Sequence, residues 1–113
     1  MATLTITDIS RAGVDITGVA ADVAGDEMAN TGKEFILVTN GGGSPITVTI
    51  DIEATIDGAA AVDPTVSIGA GVPKAIGPFP TGIYNNASTS RVSWTYSAVT
   101  SVTVKALKLS PSN

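Results

Sequence analysis

The 113-residue chain contains neither histidine nor cysteine. Histidine is the commonest general base and metal ligand, and cysteine is the strongest nucleophile and soft-metal ligand. Their absence excludes most hydrolytic triads, zinc sites and thiol chemistry, and it means that no disulfide stabilises the fold. We therefore expect a protein that is not an enzyme and acts through its surface and its assembly.

Charged and aromatic residues are also scarce. Only 14% of the residues are charged, against about 25% in typical soluble domains, and there are five aromatic side chains. The core must therefore be built from Val, Ile and Thr, which suit a pleated, half-buried surface. The length allows one domain with a modest core. A subunit whose apolar surface is covered by neighbours explains this composition better than a free monomer.

The positive charges are too few and too scattered for a nucleic-acid partner. The formal net charge is −4, whereas phosphate binding requires clustered Lys and Arg. The six cations are spread along the chain at Arg11, Lys33, Lys74, Arg91, Lys105 and Lys108. No apolar run approaches the roughly 20 residues of a membrane span, and the alternating residues 1–8 do not resemble a signal peptide. We expect no nucleic-acid partner, no membrane association, and synthesis in a cytoplasm.

The clearest strand pair lies in the middle of the sequence. Residues 34–40 form a nearly continuous apolar run, as expected of a strand covered on both faces. A glycine loop, 41–44, separates this run from residues 46–53, in which apolar and polar side chains alternate. Alternation with a period of two indicates a strand with one buried face. Together the two runs predict a β-hairpin.

Shorter strands are predicted along the rest of the chain. They cover residues 3–7, 65–68, 72–76, 91–96 and 100–109. The prolines in 77–80 exclude a central strand there, so this segment should lie at an edge or cross between sheets, with Phe79 closing the end of the core. The apolar positions of the last strand change parity at Leu107, which indicates a bulge or a second buried face.

About seven or eight short strands separated by turns are typical of a β-sandwich. We predict an all-β fold, a single-domain antiparallel β-sandwich over residues 1–113, with a small β-barrel or β-tulip as the alternative. Residues 8–32 are expected to form a long irregular segment, and 110–113 a short polar tail. The predicted core consists of one face of the strands and Phe79: Ile36, Val38, Ile46, Val48, Ile50, Val66, Ile68, Phe79, Val92, Trp94, Val102 and Val104.

Several residues have the right chemistry for a site, but a structural interpretation is favoured for each. Asp51 and Glu53 lie two apart, as a glycosidase pair could, yet they fit the solvent face of an amphipathic strand. The spacing of the acids in 22–27 does not match a calcium-binding loop. Trp94 could stack on a sugar if exposed, although burial in the core is favoured. We therefore predict no catalytic, cofactor-binding or metal-binding residues, and no cofactor.

Short phrases of the sequence are similar to one group of viral proteins. They are Leu4-Thr-Ile-Thr7, Arg11-Ala-Gly13, residues 30–41, Ile76-Gly-Pro-Phe-Pro80 with Asn85, and residues 95–104. In these phrases the chain resembles the small β-rich decoration, or cement, proteins that stud the capsids of tailed bacteriophages. The resemblance implies a β-sandwich or β-tulip-like fold, oligomerisation around a symmetry axis of the capsid lattice, and no catalysis.

The expected function is therefore that of a structural capsid decoration protein. It would bind the major capsid protein on the capsid exterior and stabilise contacts between capsomers, after synthesis in the host bacterial cytoplasm. It would also bind itself, as a trimer in preference to a dimer, because capsid lattices offer threefold and twofold axes. The competing hypothesis is a non-catalytic module of a phage tail or fibre that recognises host surface glycans or receptors.

The partner contact is predicted in the segment 8–32. Its apolar side chains are isolated between glycines, so the segment gains most by ordering against another chain. The predicted contact residues are Ile9, Arg11, Val14, Ile16, Val19 and Val23. The N-terminal strand could also add to the sheet edge of a neighbour. The alternative is that 8–32 folds back and caps its own sandwich.

Overall fold

β-Strands dominate the regular secondary structure, as the abundance of Val, Ile and Thr leads us to expect. The structure is a computed structural model that describes residues 2–53, 55–56, 59–60 and 62–109, so the predicted tail 110–113 lies outside the described residues. The elements are β1 (Ala2–Thr3), β2 (Ile6–Ile9), β3 (Val19–Ala20), β4 (Asp26–Ala29), β5 (Glu34–Asn40), β6 (Ile46–Ile50), β7 (Thr55–Ile56), β8 (Ala59–Ala60), β9 (Thr65–Ile68), β10 (Pro73–Ile76), α1 (Thr81–Tyr84), β11 (Arg91–Tyr96) and β12 (Val102–Leu109).

The longer strands form two sheets that pack face to face. Sheet I has the order β1–β4–β11–β6–β9; sheet II has the order β10–β5–β12–β2, and β3 also pairs with β12. The pairs β1–β4 and β2–β12 are parallel, and the other pairs in both sheets are antiparallel. Neither sheet closes on itself among the described strands. The predicted β-sandwich is confirmed, as one compact domain with mixed sheets, and the barrel alternative is wrong.

The core lies between the sheets and follows the alternation of apolar side chains. In β5 and β6 every second residue is buried, which is the pattern of strands covered on one face. The predicted core residues are confirmed as buried, except Val66, which is partly buried against the core. Met28, Ile76 and Ala106 add to the core.

The predicted hairpin between β5 and β6 is wrong, because the two strands belong to different sheets. The glycine loop between them therefore crosses from sheet II to sheet I. Asn40, fully buried at the end of β5, holds this crossing. Its Nδ2 donates to the carbonyl oxygens of Ser44 at 2.8 Å and Ile68 at 3.1 Å, and its Oδ1 accepts from the amide of Gly42 at 3.0 Å. One side chain thus satisfies backbone groups of the glycine loop and of β9. We call this loop, which crosses between the two sheets, the arch.

The change of parity at Leu107 reflects a second buried face rather than a bulge. The register between β12 and β5 runs without interruption from Val102 to Lys108. Leu107 is only 3% exposed although its neighbour Ala106 faces the core. Of the two interpretations drawn from the sequence, the second is therefore confirmed.

The segment 8–32 is more regular than the sequence predicts. It contains the end of β2, the two residues of β3 and all of β4, and β4 lies inside sheet I between β1 and β11. The chain comes very close to the backbone of β12 where it returns to sheet II. At Gly18 a Cβ would lie 2.9 Å from the backbone nitrogen and oxygen of Val104. The N-terminal strand is also split. Ala2–Thr3 joins sheet I, and Ile6–Ile9 joins sheet II.

The segment around 77–80 closes one end of the core, as predicted. Phe79 is 3% exposed and packs edge-to-face on Tyr84, with ring centroids 5.5 Å apart. Buried Asn30 fastens this closure, because its Nδ2 donates to the carbonyl oxygen of Phe79 at 2.8 Å and to Oδ1 of Asn85 at 2.7 Å. We call this the Phe79 end of the sandwich.

Glu34 makes stability sensitive to acid. Its carboxylate is buried, which opposes ionisation, but hydrogen bonds from the amide and hydroxyl of Thr31 and the amide of Lys33 outweigh this and lower the pKa of Glu34 below its ordinary value of 4.5. A lowered folded-state pKa means that the stabilisation is complete above pH 4.5 and is lost as the pH falls through the folded-state pKa.

We expect Glu34→Gln to reduce the free energy of unfolding at pH 7 and to flatten its dependence on pH below 4.5. Urea unfolding at several pH values measures both effects, and Asp8→Asn, on an exposed carboxyl, serves as the control. An unchanged acid limb in Glu34→Gln would show that other carboxylates determine the acid sensitivity.

Candidate interaction surface

The outer side of sheet II carries apolar side chains that the core does not use. In β5 the buried residues alternate with Phe35 and Leu37, which therefore point outward. The registers of β10, β12 and β2 place further apolar residues beside them on the same side. We call this surface the apolar face; it comprises Ile9, Phe35, Leu37, Ala75, Leu107 and Leu109.

The chain covers the apolar face only in part. Leu109 is 61% exposed and Ala75 is exposed, whereas Leu107 is buried and the other members are half-buried. The outer side of sheet I is different in chemistry. Three neighbouring strands there present hydroxyl side chains: Thr47, Thr49, Thr65, Ser67, Ser93 and Thr95. An apolar sheet face opposite a hydroxyl-rich one makes the outer side of sheet II the candidate interaction surface of the two.

A groove of about 440 Å³ runs into the apolar face near the Phe79 end. Its lining includes Lys33, Phe35, Ala75, Gly77, Pro78 and Leu109. Glycine is required at Gly77, which has a φ of +143°, because a Cβ there would lie 2.7 Å from the Cβ of Phe35. The close approach of these two residues shapes the wall of the groove.

Two lysines belong to the same surface. Lys33 lines the groove, and Lys105 lies beside Leu37 in the register of β12 and β5. Neither forms an ion pair with another described residue, whereas Arg91 pairs with Glu27 at 3.0 Å. Hydrogen bonds from the hydroxyl and amide of Thr17 lower the pKa of nearby Asp15, and the charge of Lys105 adds a smaller contribution. The apolar face therefore carries two lysines, of which Lys105 lies near Asp15, in a chain of net charge −4.

The six predicted contact residues differ in exposure. Three are among the most exposed apolar side chains that the structure describes: Ile16 at 55%, Val19 at 55% and Val23 at 81%. Arg11 is also exposed, while Val14 is half-buried. Ile9 belongs to the apolar face. These residues therefore do not form one compact cluster: Ile9 and Val19 pair with β12 at the edge of sheet II, and Val23 lies in the turn before β4.

The loop 10–18 connects this edge to the apolar face. It leaves sheet II where Ile9 pairs with Leu109, and it returns where Val19 pairs with Val104 on the same strand, β12. Within the loop, Oδ1 of Asp15 accepts hydrogen bonds from the amide of Thr17 at 2.8 Å and its hydroxyl at 2.6 Å. The apolar face thus continues along the strand edge into a loop with its own exposed apolar side chain.

Trp94 is a core residue and is not available for stacking on a sugar. Trp94 is fully buried, and its Nε1 donates to the hydroxyl of Tyr96 at 2.7 Å. That hydroxyl donates in turn to Oδ2 of the buried Asp26 at 2.7 Å. Burial and the Asp26 carboxylate raise the pKa of Tyr96 well above its ordinary value. The predicted burial of Trp94 is confirmed, and this network is a structural link between β11 and β4.

An acidic surface lies at the Phe79 end, next to sheet I. Glu53 accepts from Nδ2 of Asn86 at 3.2 Å, and its amide donates to the carbonyl oxygen of Ile83 at 3.0 Å. A hydrogen bond with Asp51 is the main cause that raises the pKa of Glu53; burial and the charges of Asp51 and Asp63 add to it. Two exposed apolar side chains adjoin these acids. We call this surface the acidic corner: Asp51, Glu53, Val62, Asp63 and Ile83.

Neither group of acids forms a metal site within the described part of the chain. Glu27 pairs with Arg91, and Asp26 is engaged by Tyr96, so the acids in 22–27 do not converge on one point. The Oδ1 atom of Asp63 accepts a hydrogen bond from the amide of Ile52 at 2.9 Å. In the acidic corner too, carboxylate oxygens are used to order the backbone.

The apolar face is already indicated in the sequence. The continuous apolar run at 34–40 predicts a strand covered on both faces, and its second face is indeed apolar. The described residues do not cover this second face fully, since Phe35 and Leu37 remain half-exposed, so the predicted covering of both faces is found on one face only. The same run therefore places apolar side chains on both faces of β5.

No protein-family model matches this chain, and no curated protein or solved structure matches it. None of the helices that the structure describes is long and apolar enough to cross a membrane; α1 has four residues.

Proposed function

We propose that this protein is a capsid decoration protein of a tailed bacteriophage, which binds the capsid exterior and stabilises contacts between capsomers. The resemblance in the sequence points to the partner, the major capsid protein. The observation that carries the proposal is the apolar surface along sheet II, which continues through Ile9 into the exposed residues Ile16 and Val19. Covering such a surface is favourable, and a subunit held in an assembly covers it.

The shape of the molecule suits this role. It measures 41 × 39 × 19 Å, so each of the two sheets presents a broad face relative to the thickness. A flat subunit lying between neighbours is held by area rather than by a deep pocket. When several copies engage a lattice together, weak individual contacts add through effective concentration and resist the separation of capsomers.

The competing function, glycan recognition by a tail or fibre module, has less support. Sugar rings stack on exposed aromatic side chains, but Trp94 is fully buried and the hydroxyl of Tyr96 is engaged by Trp94 and Asp26. Labelling of virions with a specific antibody separates the two functions. Label confined to the tail would reject the decoration function.

The capsid contact is tested with substitutions on the exposed edge rather than with a deletion, which would remove β3. We expect the double variant Ile16→Asp, Val23→Asp to keep the melting temperature of the wild type, because both side chains are exposed at 55% and 81%. We expect its binding to capsid shells assembled without this protein to fall at least about tenfold, since each introduced carboxylate must be desolvated at the contact. Co-sedimentation with the shells measures the binding.

The matched control is Val72→Asp, which places the same charge on an exposed apolar position in the turn before β10. It should leave capsid binding unchanged. Equal binding by the wild type, the double variant and the control would reject the capsid contact at 8–32. Loss of binding in both the double variant and the control with a lowered melting temperature would show an effect on folding instead.

A further inference from the structure

The apolar face and the acidic corner have opposite charges and similar apolar character. The apolar face carries Lys33 and Lys105, neither of which forms an ion pair with another described residue. The acidic corner carries three carboxyl groups beside Val62, which is 91% exposed, and Ile83, which is 43% exposed. Each surface thus has the charge and the apolar contact area that the other needs.

We infer that the acidic corner of one copy docks against the apolar face of a second copy. The inference rests on the proposed function only in that both require an assembled subunit. The occupant of the apolar face is then a second copy of this chain, whose Val62 and Ile83 supply apolar contact and whose acids face Lys33 and Lys105. Ile16 and Val23, at which the capsid contact is tested, belong to neither of these two surfaces, whereas Ile9 belongs to the apolar face.

The charges favour this head-to-tail contact over a twofold one. In a face-to-face dimer, the Lys33 and Lys105 side chains of both copies would lie in one interface, and these like charges would repel. Two acidic corners brought together would repel for the same reason. A contact between different surfaces of the two copies avoids both costs, and repetition of such a contact produces a closed ring or an open chain of subunits.

A lysine could form a favourable ion pair at the acidic corner. Glu53 is exposed, and among the described residues no cation pairs with it, with Asp51 or with Asp63. A hydrogen bond with Asp51 is the main cause that raises the pKa of Glu53, and burial and repulsion by the charges of Asp51 and Asp63 add to it. A lysine of a neighbouring copy would relieve that repulsion, so the contact should weaken as salt screens the charges.

Charge reversal tests the contact. We expect the wild type to self-associate in sedimentation velocity experiments at low salt, and Lys105→Glu and Glu53→Lys each to weaken the association at least about tenfold. An equimolar mixture of the two variants should restore it, because each restored contact then joins opposite charges. Lys33→Glu provides a second reversal on the apolar face at an exposed position.

Thr65→Glu and Thr65→Lys serve as controls for net charge, since Thr65 is exposed on the outer side of sheet I, and both should associate like the wild type. A monomeric wild type, or single reversals that associate normally, would overturn the inference, as would a mixture that fails to recover. Such a protein could still bind capsid shells, which would leave the proposed function standing. Restored association in a protein that does not bind shells would support the contact and reject the capsid function.

Discussion

Ile50→Ala should lower the free energy of unfolding by about 2–5 kcal/mol, a large share of the roughly 5–15 kcal/mol of a small domain. Ile50 is 2% exposed and lies beside Trp94 in the register of sheet I. Truncation removes apolar contacts and leaves a cavity that the neighbouring strands cannot fill, because both are held in register. Chemical denaturation monitored by the fluorescence of Trp94, the only tryptophan in the chain, measures the loss.

Thr49→Ala is the matched control on the same strand. Thr49 faces the outer side of sheet I and is half-exposed, with Thr65 and Thr95 beside it in the register. We expect a change within about 0.5 kcal/mol, as for most surface substitutions. Equal losses at the two positions would mean that the outer side of sheet I is covered, for instance by self-association through the hydroxyl-rich face.

Asn40→Ala should be the most damaging polar substitution, with a loss of about 2–4 kcal/mol for three hydrogen bonds and the buried groups left without partners. The carbonyl oxygen of Ile68 lies in the interior, where water cannot replace the lost donor. The arch between the sheets would also lose the side chain that fixes its ends. Urea unfolding measures the loss, and a change in the slope of the transition would indicate a loosened native state.

Two variants show whether the side chain of Asn40 or the loop itself is responsible. Asn40→Asp keeps the shape but presents a carboxylate to the carbonyl oxygens of Ser44 and Ile68, so it should be at least as unstable as Asn40→Ala. Ser44→Ala alters an exposed side chain that contributes only its backbone oxygen, and it should be neutral. Loss of stability in Ser44→Ala comparable to that in Asn40→Ala would contradict the role assigned to Asn40.

The individual strands could be predicted from the sequence because their side chains alternate. Residues 91–96 are β11 as predicted, and the alternating run at 46–53 contains β6. Alternation reports that one face is buried, and it says nothing about which sheet buries it. The glycine loop after Asn40 suits a hairpin and an arch equally. The local pattern therefore could not predict whether β5 and β6 pair with each other.

β4 was missed for a different reason. The inward positions of this strand are Asp26 and Met28, so a buried carboxylate interrupts the apolar alternation. Asp26 is tolerated there because Tyr96, seventy residues away, donates a hydrogen bond to it. A partner that distant in the sequence leaves no local signal. The same limit applies to the surfaces. Single exposed side chains such as Val23 could be predicted from the sequence, whereas the apolar face depends on the registers of four strands.

The position of β12 in sheet II determines when the sheet can be completed during synthesis. This last strand lies between β5 on one side and β2 and β3 on the other, so it supplies the backbone partners of most of the sheet. During synthesis, β2, β3 and β5 leave the ribosome long before their shared partner exists. β12 therefore completes sheet II only after it has left the ribosome, and until then the edge of β5 that carries Phe35 and Leu37 stays open to other chains. A cell making many copies at once thus brings unfinished subunits together at the stage when this face is most exposed.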